Sequence, residues 1–171
     1  MILPIVKRPN PILKQQAQLV EPTEITNLQP LINDMFETLA ASGGVGLAAP
    51  QVGHSLNLFV VKLEGQERVF VNPVVISASS ETDVYPEGCL SLPGIVLNLR
   101  RSKQIKVMFR DRNGNQQVQD MGEGWSRVFL HEFDHLQGIM IDDRVGRVQL
   151  DMAKRKIAKK QKNQQRQRAT A

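Results

Sequence analysis

Two histidines and the glutamate between them have the types and spacing best suited to chemistry in this chain. The sequence His-Glu-Phe-Asp-His at residues 131–135 places two imidazoles four residues apart, so on a helix they share a face. Such a pair binds one metal ion through its ring nitrogens. Glu132 then lies beside the ion, where it can act as general base on a metal-bound water. Largely apolar neighbours predict a buried helix over about 123–137, ended by Gly138.

A third ligand decides what this site does, and the sequence offers several candidates. Metalloproteases with this helix take a downstream glutamate or histidine. No glutamate follows Glu132, however, and position 141, where the longer motif has histidine, is isoleucine. The candidates are therefore upstream: Cys89, His54 or a carboxylate. A lone cysteine is most often a buried, inert hydrophobe. Beside an incomplete metal site we interpret Cys89 as the third ligand, which leaves one position open for water, as in catalytic sites.

Length and composition favour a single intracellular domain. A chain of 171 residues suits one domain with one hydrophobic core. We divide this domain into a catalytic body, 1–146, and a basic C-terminal helix or tail, 147–171. No apolar run has the length of a signal peptide or of a membrane span. One cysteine excludes an intramolecular disulfide, and a thiolate ligand needs reducing surroundings. We therefore expect a cytoplasmic protein, or an organellar one after import.

The net charge of +5 is unevenly distributed along the chain. Residues 144–171 contain ten Lys and Arg against one acidic residue, whereas residues 1–143 contain twelve against sixteen. The basic character therefore belongs to the tail. A basic helix there either contacts RNA or is a solvated, solubilising surface, and the sequence leaves both readings open.

The remaining segments predict the elements that must position these residues. Residues 1–23 are proline-rich and predict an extended arm packed on the domain, and apolar spacing predicts an amphipathic helix over 25–42. Short β-rich runs follow, with a hairpin turn at 113–114. The predicted strands are 57–62, 69–72, 74–77, 95–99, 104–110 and 116–119. With a basic helix over about 150–165, this predicts an α+β fold: small antiparallel sheets around a central metal-binding helix, with a C-terminal helix.

The glycine-rich loop at 44–51 has the letters of a dinucleotide-binding motif but not its context. That motif follows a strand and opens a helix, whereas here a helix precedes and Pro50 obstructs a following one. We therefore reject nucleotide binding. The glycines could instead let an extended ligand backbone approach, with Gln51 offering an amide donor; a plain turn is the alternative.

Three segments, in this order and spacing, resemble the peptide deformylase family. They are Gly-Val-Gly-Leu-Ala-Ala-Pro-Gln at 44–51, Glu-Gly-Cys-Leu-Ser at 87–91 and His-Glu-Phe-Asp-His at 131–135. The resemblance covers nearly the whole sequence. It implies a hydrolase that removes the N-formyl group from the formyl-methionine of newly made bacterial or organellar polypeptides and releases formate. It also implies one divalent metal ion, iron(II) in cells, with zinc, nickel or cobalt able to occupy the site.

The resemblance also assigns roles to individual residues. The positions that match metal ligands are Cys89, His131 and His135. Glu132 matches the general acid/base, while Gln51 and the backbone N–H of Leu90 match the groups that hold the formyl oxygen. The positions that match substrate-binding residues are Val45, Gly46, Gly88 and Val128. The first three pair with the substrate main chain as an added strand, and an apolar pocket near Val45, Val128 and His131 takes the methionine side chain.

Residues next to the expected ligands lead to two further hypotheses, and one of these residues departs from the family's usual sequence. We expect Glu87 or a backbone carbonyl to orient a ligand imidazole, as outer-shell partners usually do, and Asp134 to pair with Arg101. Many family members have glutamine before the first ligand histidine, where this chain has Leu130. The substitution removes a polar contact but no ligand.

Two other functions would each account for part of the sequence. A metallopeptidase would use the same helix, but its downstream ligand is missing. A nucleic-acid-binding module with a structural metal would explain the basic tail, but it requires a fourth protein ligand and leaves Gln51 and Glu132 without a role. As partners we expect formyl-methionyl nascent peptides and the ribosome, the latter through the basic helix; we expect no membrane contact and a monomer.

Overall fold

The computed structural model describes residues 1–169; residues 170 and 171, the end of the predicted tail, lie outside the described residues. Within that range the helices are α1 (Gln29–Ser42), α2 (Glu123–Leu136) and α3 (Arg147–Ala169). The strands are β1 (Gly46–Ala48), β2 (Leu58–Leu63), β3 (Gln66–Ala78), β4 (Thr82–Cys89), β5 (Leu92–Ser102), β6 (Gln104–Arg110) and β7 (Gln116–Gly122). Short 3-10 turns occupy Pro11–Lys14, Pro22–Leu28, Ala49–Val52 and Ile141–Asp143.

The strands form two antiparallel sheets. The larger has the order β1-β2-β3-β6-β7, so β1 and β7 are its edges, and β4 pairs with β5 in a separate two-stranded sheet. Alternation in β6 buries Ile105, Val107 and Phe109, as expected for a strand with one face on a core. The predicted α+β architecture is confirmed.

Helix α2 is fixed to the larger sheet by aromatic packing. The ring of Phe129 lies edge-on to Phe59 and Phe70, with centroids 5.2 and 5.3 Å apart, inside a buried cluster. Leu130 packs, partly buried, against the same cluster, so an apolar side chain suits this position. With that side of the helix held by the sheet, His131 meets the smaller sheet at Glu87.

The N-terminal arm packs on the domain and supports both ends of the site. Val6 N–H donates to the Gln51 carbonyl at 2.8 Å, and Ala17 N–H donates to the carbonyl of Leu136, the last residue of α2, at 2.9 Å. The arm therefore ties the glycine-rich loop and the motif helix to the same segment of chain.

The structure corrects the predicted start of the first helix. Residues 22–28 form a 3-10 turn, and α1 begins at Gln29, not at residue 25. An α-helix begun at 25 would bring the ring of Pro30 against the carbonyl of Thr26. In the first turn of α1, where the structure places it, Pro30 costs no hydrogen bond. The helix ends at Ser42, as predicted, and Gly43 caps it with φ of 69°.

The strand predictions missed β1 and β4 and divided β3 in two. The predicted strands 69–72 and 74–77 are one strand whose pairing with β6 shifts register between Val71 and Val74. Asn72, at φ of 49°, and Pro73, which has no N–H to donate, occupy this irregularity. Hydrophobic alternation breaks at such a point, and for this reason the sequence pattern predicts two strands where the structure has one.

Helix α3 packs its first half on β5. Leu150, Ala153 and Ile157 join a cluster with Leu97 and Leu99 of that strand, and the helix is longer at both ends than the predicted 150–165. No helix within residues 1–169 has the length and apolar character needed to cross a bilayer.

Candidate metal centre

Cys89, the last residue of β4, meets the two histidines of α2. The donor atoms of Cys89, His131 and His135 all lie within 4.8 Å of one another, and Cys89 Sγ is 3.3 Å from His135 Nε2. The β4–β5 pairing shifts register between Gly88 and Cys89, and this irregularity lies at the point where the chain presents its sulfur to α2. His54, which the sequence also offered as an upstream ligand, is exposed and outside this cluster.

This donor set suits a divalent cation. Burial, with the nearby His131 and Arg101, lowers the pKa of His135 well below its usual value, so the ring is neutral, as a metal ligand must be. Burial opposes the charged form of His131 too, but its hydrogen bonds to Cys89 and Glu87 and the charge of Glu132 raise its pKa to about 10. The surrounding groups therefore attract positive charge to the site, and a bound cation supplies it.

Glu132 lies at the buried end of the same site. Its residue is 3% exposed, and Oε2 has no hydrogen-bond partner among the described protein groups. Burial raises the pKa of this carboxyl to about 7, with the charge of His131 opposing the shift and that of Glu87 adding to it. A buried carboxyl beside the three donors is suited to accept and return a proton.

Gly46 of β1 lies directly against this carboxylate. A Cβ placed on Gly46 would lie 2.8 Å from both Cγ and Cδ of Glu132, closer than carbon atoms approach without displacement. Any side chain at position 46 must therefore move Glu132 or β1.

We expect Gly46→Ala to lower kcat for formate release about 10-fold while metal content stays at the wild-type level. A misplacement of about 1 Å in a catalytic group can cost ~100-fold, and relief of this contact can be shared between Glu132 and β1. Formate release and metal analysis on the purified variant measure both effects. Gly146→Ala is the matched control, because an added Cβ there meets nothing within 4 Å. Equal kcat in the two variants would contradict the steric argument.

Gln51 presents its side-chain amide beside the sulfur. The residue is 1% exposed, and its Oε1 accepts a hydrogen bond from Ala48 N–H at 2.8 Å. Its Nε2 donates to Ser91 Oγ at 3.2 Å and lies 3.6 Å from Cys89 Sγ. The carboxamide is therefore oriented with its N–H groups toward Cys89, His131 and His135, which we call the donor cluster.

Glu87 holds the ring of His131. Its Oε2 accepts from His131 Nδ1 and from Arg101 Nη2, both at 2.9 Å, and its Oε1 accepts from Arg101 Nε at 3.0 Å and Arg127 Nη1 at 2.7 Å. Burial alone would raise the pKa of Glu87, but the hydrogen bonds from His131 and Arg101 hold it at about 2. With Nδ1 engaged, Nε2 of His131 is left for the cation. The expected Asp134–Arg101 contact is also present, at 2.6 Å.

We expect Glu87→Gln to weaken metal affinity roughly 10–100-fold, the usual cost of losing a partner of a ligand imidazole. The neutral amide cannot satisfy two guanidinium groups and an imidazole at once. Competition with a chelator of known affinity gives the measurement, and Glu81→Gln, an exposed carboxylate just before β4, is the control. Unchanged affinity in Glu87→Gln would show that the carboxylate does not orient the ligand.

A cavity of about 600 Å³ opens onto the donor cluster. Its lining includes every residue expected to bind substrate and also Gln51, Cys89, Leu90, His131 and Glu132. His135, 1% exposed, lies behind this surface. Sequence reasoning missed several lining residues, among them Pro93, Gly94, Ile95, Val96 and Arg127. The first four follow the cysteine motif on β5, and a predicted β4–β5 hairpin would have found them.

Comparison with known proteins identifies the family to which this chain is similar. The family described as polypeptide deformylase matches residues 2–151. The peptide deformylase of Pseudothermotoga lettingae is 40% identical over 136 residues, 80% of this chain and 78% of that protein. The peptide deformylase of Stenotrophomonas maltophilia strain K279a is 36% identical over 167 residues, 95% of this chain and 98% of that protein.

Solved structures agree with these relatives over most of the chain. A peptide deformylase from Legionella pneumophila superposes with a TM-score of 0.86 at 36% identity, covering 97% of this chain and 99% of that one. One from Synechococcus elongatus in complex with actinonin gives 0.85 at 35% identity, covering 90% and 85%. Since family match, relatives and fold agree across nearly the full length, this chain belongs to the polypeptide deformylase family, metal-dependent hydrolases that remove the N-formyl group from nascent peptides.

Proposed function

We propose that Cys89, His131 and His135 hold one divalent cation and that Glu132 moves the protons while the formyl group of a formyl-methionyl peptide is hydrolysed. The observation that carries this proposal is the convergence of one sulfur and two ring nitrogens within 4.8 Å, beside a buried carboxylate. When bound, such a cation polarises a carbonyl oxygen and makes water more acidic.

Glu132 has two tasks in this proposal. It accepts a proton from the water that attacks the formyl carbon, and it delivers a proton to the peptide nitrogen as the C–N bond breaks. The products are formate and a free N-terminal amine. Contact with Gly46 and nearly complete burial keep the carboxylate in one place, so no reorganisation is needed between the two transfers.

Gln51 and Leu90 stabilise the negative charge that develops on the formyl oxygen. We assign this role to the Gln51 Nε2–H and the Leu90 backbone N–H, which both belong to residues lining the cavity. A donor fixed in this way is worth about 3 kcal/mol in the transition state. The hydrogen bond from Ala48 N–H to Gln51 Oε1 supplies the fixation.

The substrate binds along the open edge of β1. That strand ends the larger sheet, and β4, which carries Gly88, is paired on one side only, by β5. Backbone groups of Gly46 and Gly88 and the N–H of Val45 therefore pair with an extended peptide, while the Val45 carbonyl accepts from Lys62 N–H at 2.8 Å. Hydrogen bonds to the substrate main chain do not discriminate between substrate sequences. Selectivity for the first residue then comes from the methionine side chain, which enters the cavity near Val45 and Val128.

The direct test is formate release from a formyl-methionyl peptide, compared with cleavage of an internal peptide bond in the same peptide. Formate with an intact peptide chain supports the proposal, whereas internal cleavage would assign the chain to the metallopeptidases. We further propose iron(II) as the native cation. One thiolate and two imidazoles also accept zinc, nickel or cobalt, so the native metal is to be identified by anaerobic purification and metal analysis. We also propose that the protein is monomeric and cytoplasmic.

We also propose that helix α3 contacts ribosomal RNA. Lys159 and Lys160 are exposed on its basic half, and phosphate contacts make such binding salt-dependent. Replacing both by glutamine is expected to reduce co-sedimentation with ribosomes and to lower the slope of log affinity against log salt by about 2. Lys7→Gln, an exposed lysine of the N-terminal arm, is the control. Unchanged binding and slope would favour a merely solubilising helix.

A further inference from the structure

Arg144 ends a line of buried charged groups that reaches the proposed metal ligand His131. Its guanidinium binds both oxygens of Asp134. Asp134 Oδ2 also accepts from Arg101 Nη1 at 2.6 Å, and Arg101 holds Glu87 through Nε and Nη2 at 3.0 and 2.9 Å. Glu87 in turn holds His131 Nδ1 at 2.9 Å.

We propose that Arg144 is a positioning residue: by satisfying Asp134, it leaves the two-pronged edge of Arg101 to Glu87 and so fixes the imidazole of His131. The inference rests on the proposed ligand role of His131. It assigns a task to a side chain that belongs neither to the cavity lining nor to the three donor residues.

Competition between two carboxylates for one guanidinium is the physical basis of the proposal. Glu87 and Asp134 are both buried, and Arg101 lies between them with a side chain only 4% exposed. Each carboxylate gains most from a paired, two-bond contact with an arginine. Arg101 can offer its Nε–Nη2 edge to only one of them. In the structure Glu87 receives that edge because Asp134 receives the corresponding edge of Arg144.

Arg144 is held firmly enough to act in this way, although its side chain is 42% exposed. It follows the 3-10 turn Ile141–Asp143, and its N–H donates to the Ile141 carbonyl at 3.3 Å. Ile141 is buried with Leu97 and Leu99 in the cluster against which Cys89 packs. The turn that carries Arg144 is thus anchored in the same core as the sulfur ligand.

Without Arg144, Oδ1 of Asp134 loses its only hydrogen-bond donor among the described residues. A buried carboxylate without a partner is costly, so Asp134 draws Arg101 toward itself. Glu87 then keeps Arg127 but shares Arg101, and the hydrogen bond that orients His131 loosens. The expected consequence is a metal site that still assembles but holds its ion less well.

The test uses the full chain loaded with cobalt(II). We expect Arg144→Ala to bind one equivalent, to release it to excess chelator ~3–10-fold faster than wild type, and to show an altered visible spectrum. Loss of a direct partner of a ligand imidazole costs roughly 10–100-fold, and Arg144 lies three links beyond the direct partner Glu87. Arg144→Lys should release cobalt faster than wild type as well, since a single ammonium cannot reproduce the two-bond contact.

The control is Arg147→Ala, which removes an exposed arginine three residues later that has no ion pair among the described residues. It should release cobalt at the wild-type rate. If Arg144→Ala lowers only the melting temperature, with an unchanged spectrum and release rate, the positioning role is wrong. If Arg144→Ala does not fold, wild-type release from Arg144→Lys is the overturning result. Absence of a thiolate-to-cobalt band in the wild type would instead refute the ligand assignment itself.

Discussion

Glu132→Ala is expected to lower kcat for formate release from a formyl-methionyl peptide by at least ~100-fold, the contribution of a positioned general acid–base group. The variant keeps Cys89, His131 and His135, so its metal content should equal that of the wild type. The KM for the peptide should change little, because the main-chain contacts of β1 are made by other residues. Steady-state kinetics together with metal analysis on the same preparation measure all three quantities.

Glu132→Gln is the matched variant, because it keeps the size of a side chain that is nearly fully buried while removing its basicity. Both substitutions should reduce kcat to a similar extent if proton transfer is the lost function. Glu67→Gln, a partly exposed glutamate of β3 paired with Lys62, should have wild-type kinetics. A Glu132→Gln enzyme that retains more than a tenth of the wild-type kcat with full metal content would exclude Glu132 as the proton carrier.

Local geometry explains why much of this site was visible in the sequence. The spacing of His131 and His135 is a property of any helix, and Cys89 followed as the favoured upstream candidate once downstream ligands were excluded. These two inferences needed only residue type and spacing. The pairing of Asp134 with Arg101 was a hypothesis that opposite charge permits, and the fold decides it.

Other parts of the site depend on contacts between segments far apart in sequence. Nothing near Gly46 in the chain indicates that its missing Cβ makes room for Glu132, 86 residues later. The tie between Arg144 and Asp134 likewise depends on how the turn after α2 folds back. Strand β4 was missed because Pro86 and Gly88 interrupt the alternation by which strands are recognised. Each failure concerns a position where long-range packing, and not local propensity, decides the conformation.

Cys89, the proposed sulfur ligand, carries the second large expected effect. Cys89→Ala should weaken metal binding by ~100–1000-fold and abolish deformylation, since a four-ligand site of roughly 10–16 kcal/mol loses about 3 kcal/mol or more with one ligand. Equilibrium dialysis against a cobalt(II) buffer followed by metal analysis gives the affinity. Retention of one tightly bound equivalent in Cys89→Ala would show that another residue supplies the third ligand.

His54→Ala is the informative control for that experiment, because His54 was an upstream ligand candidate beside Cys89 and the structure places it exposed and outside the cluster. It should keep one equivalent of cobalt and wild-type formate release. The two variants together separate a three-residue centre from one completed by a fourth protein ligand. If only the sulfur and two imidazoles hold the ion, one coordination position is open to water, which distinguishes a catalytic centre from a structural one.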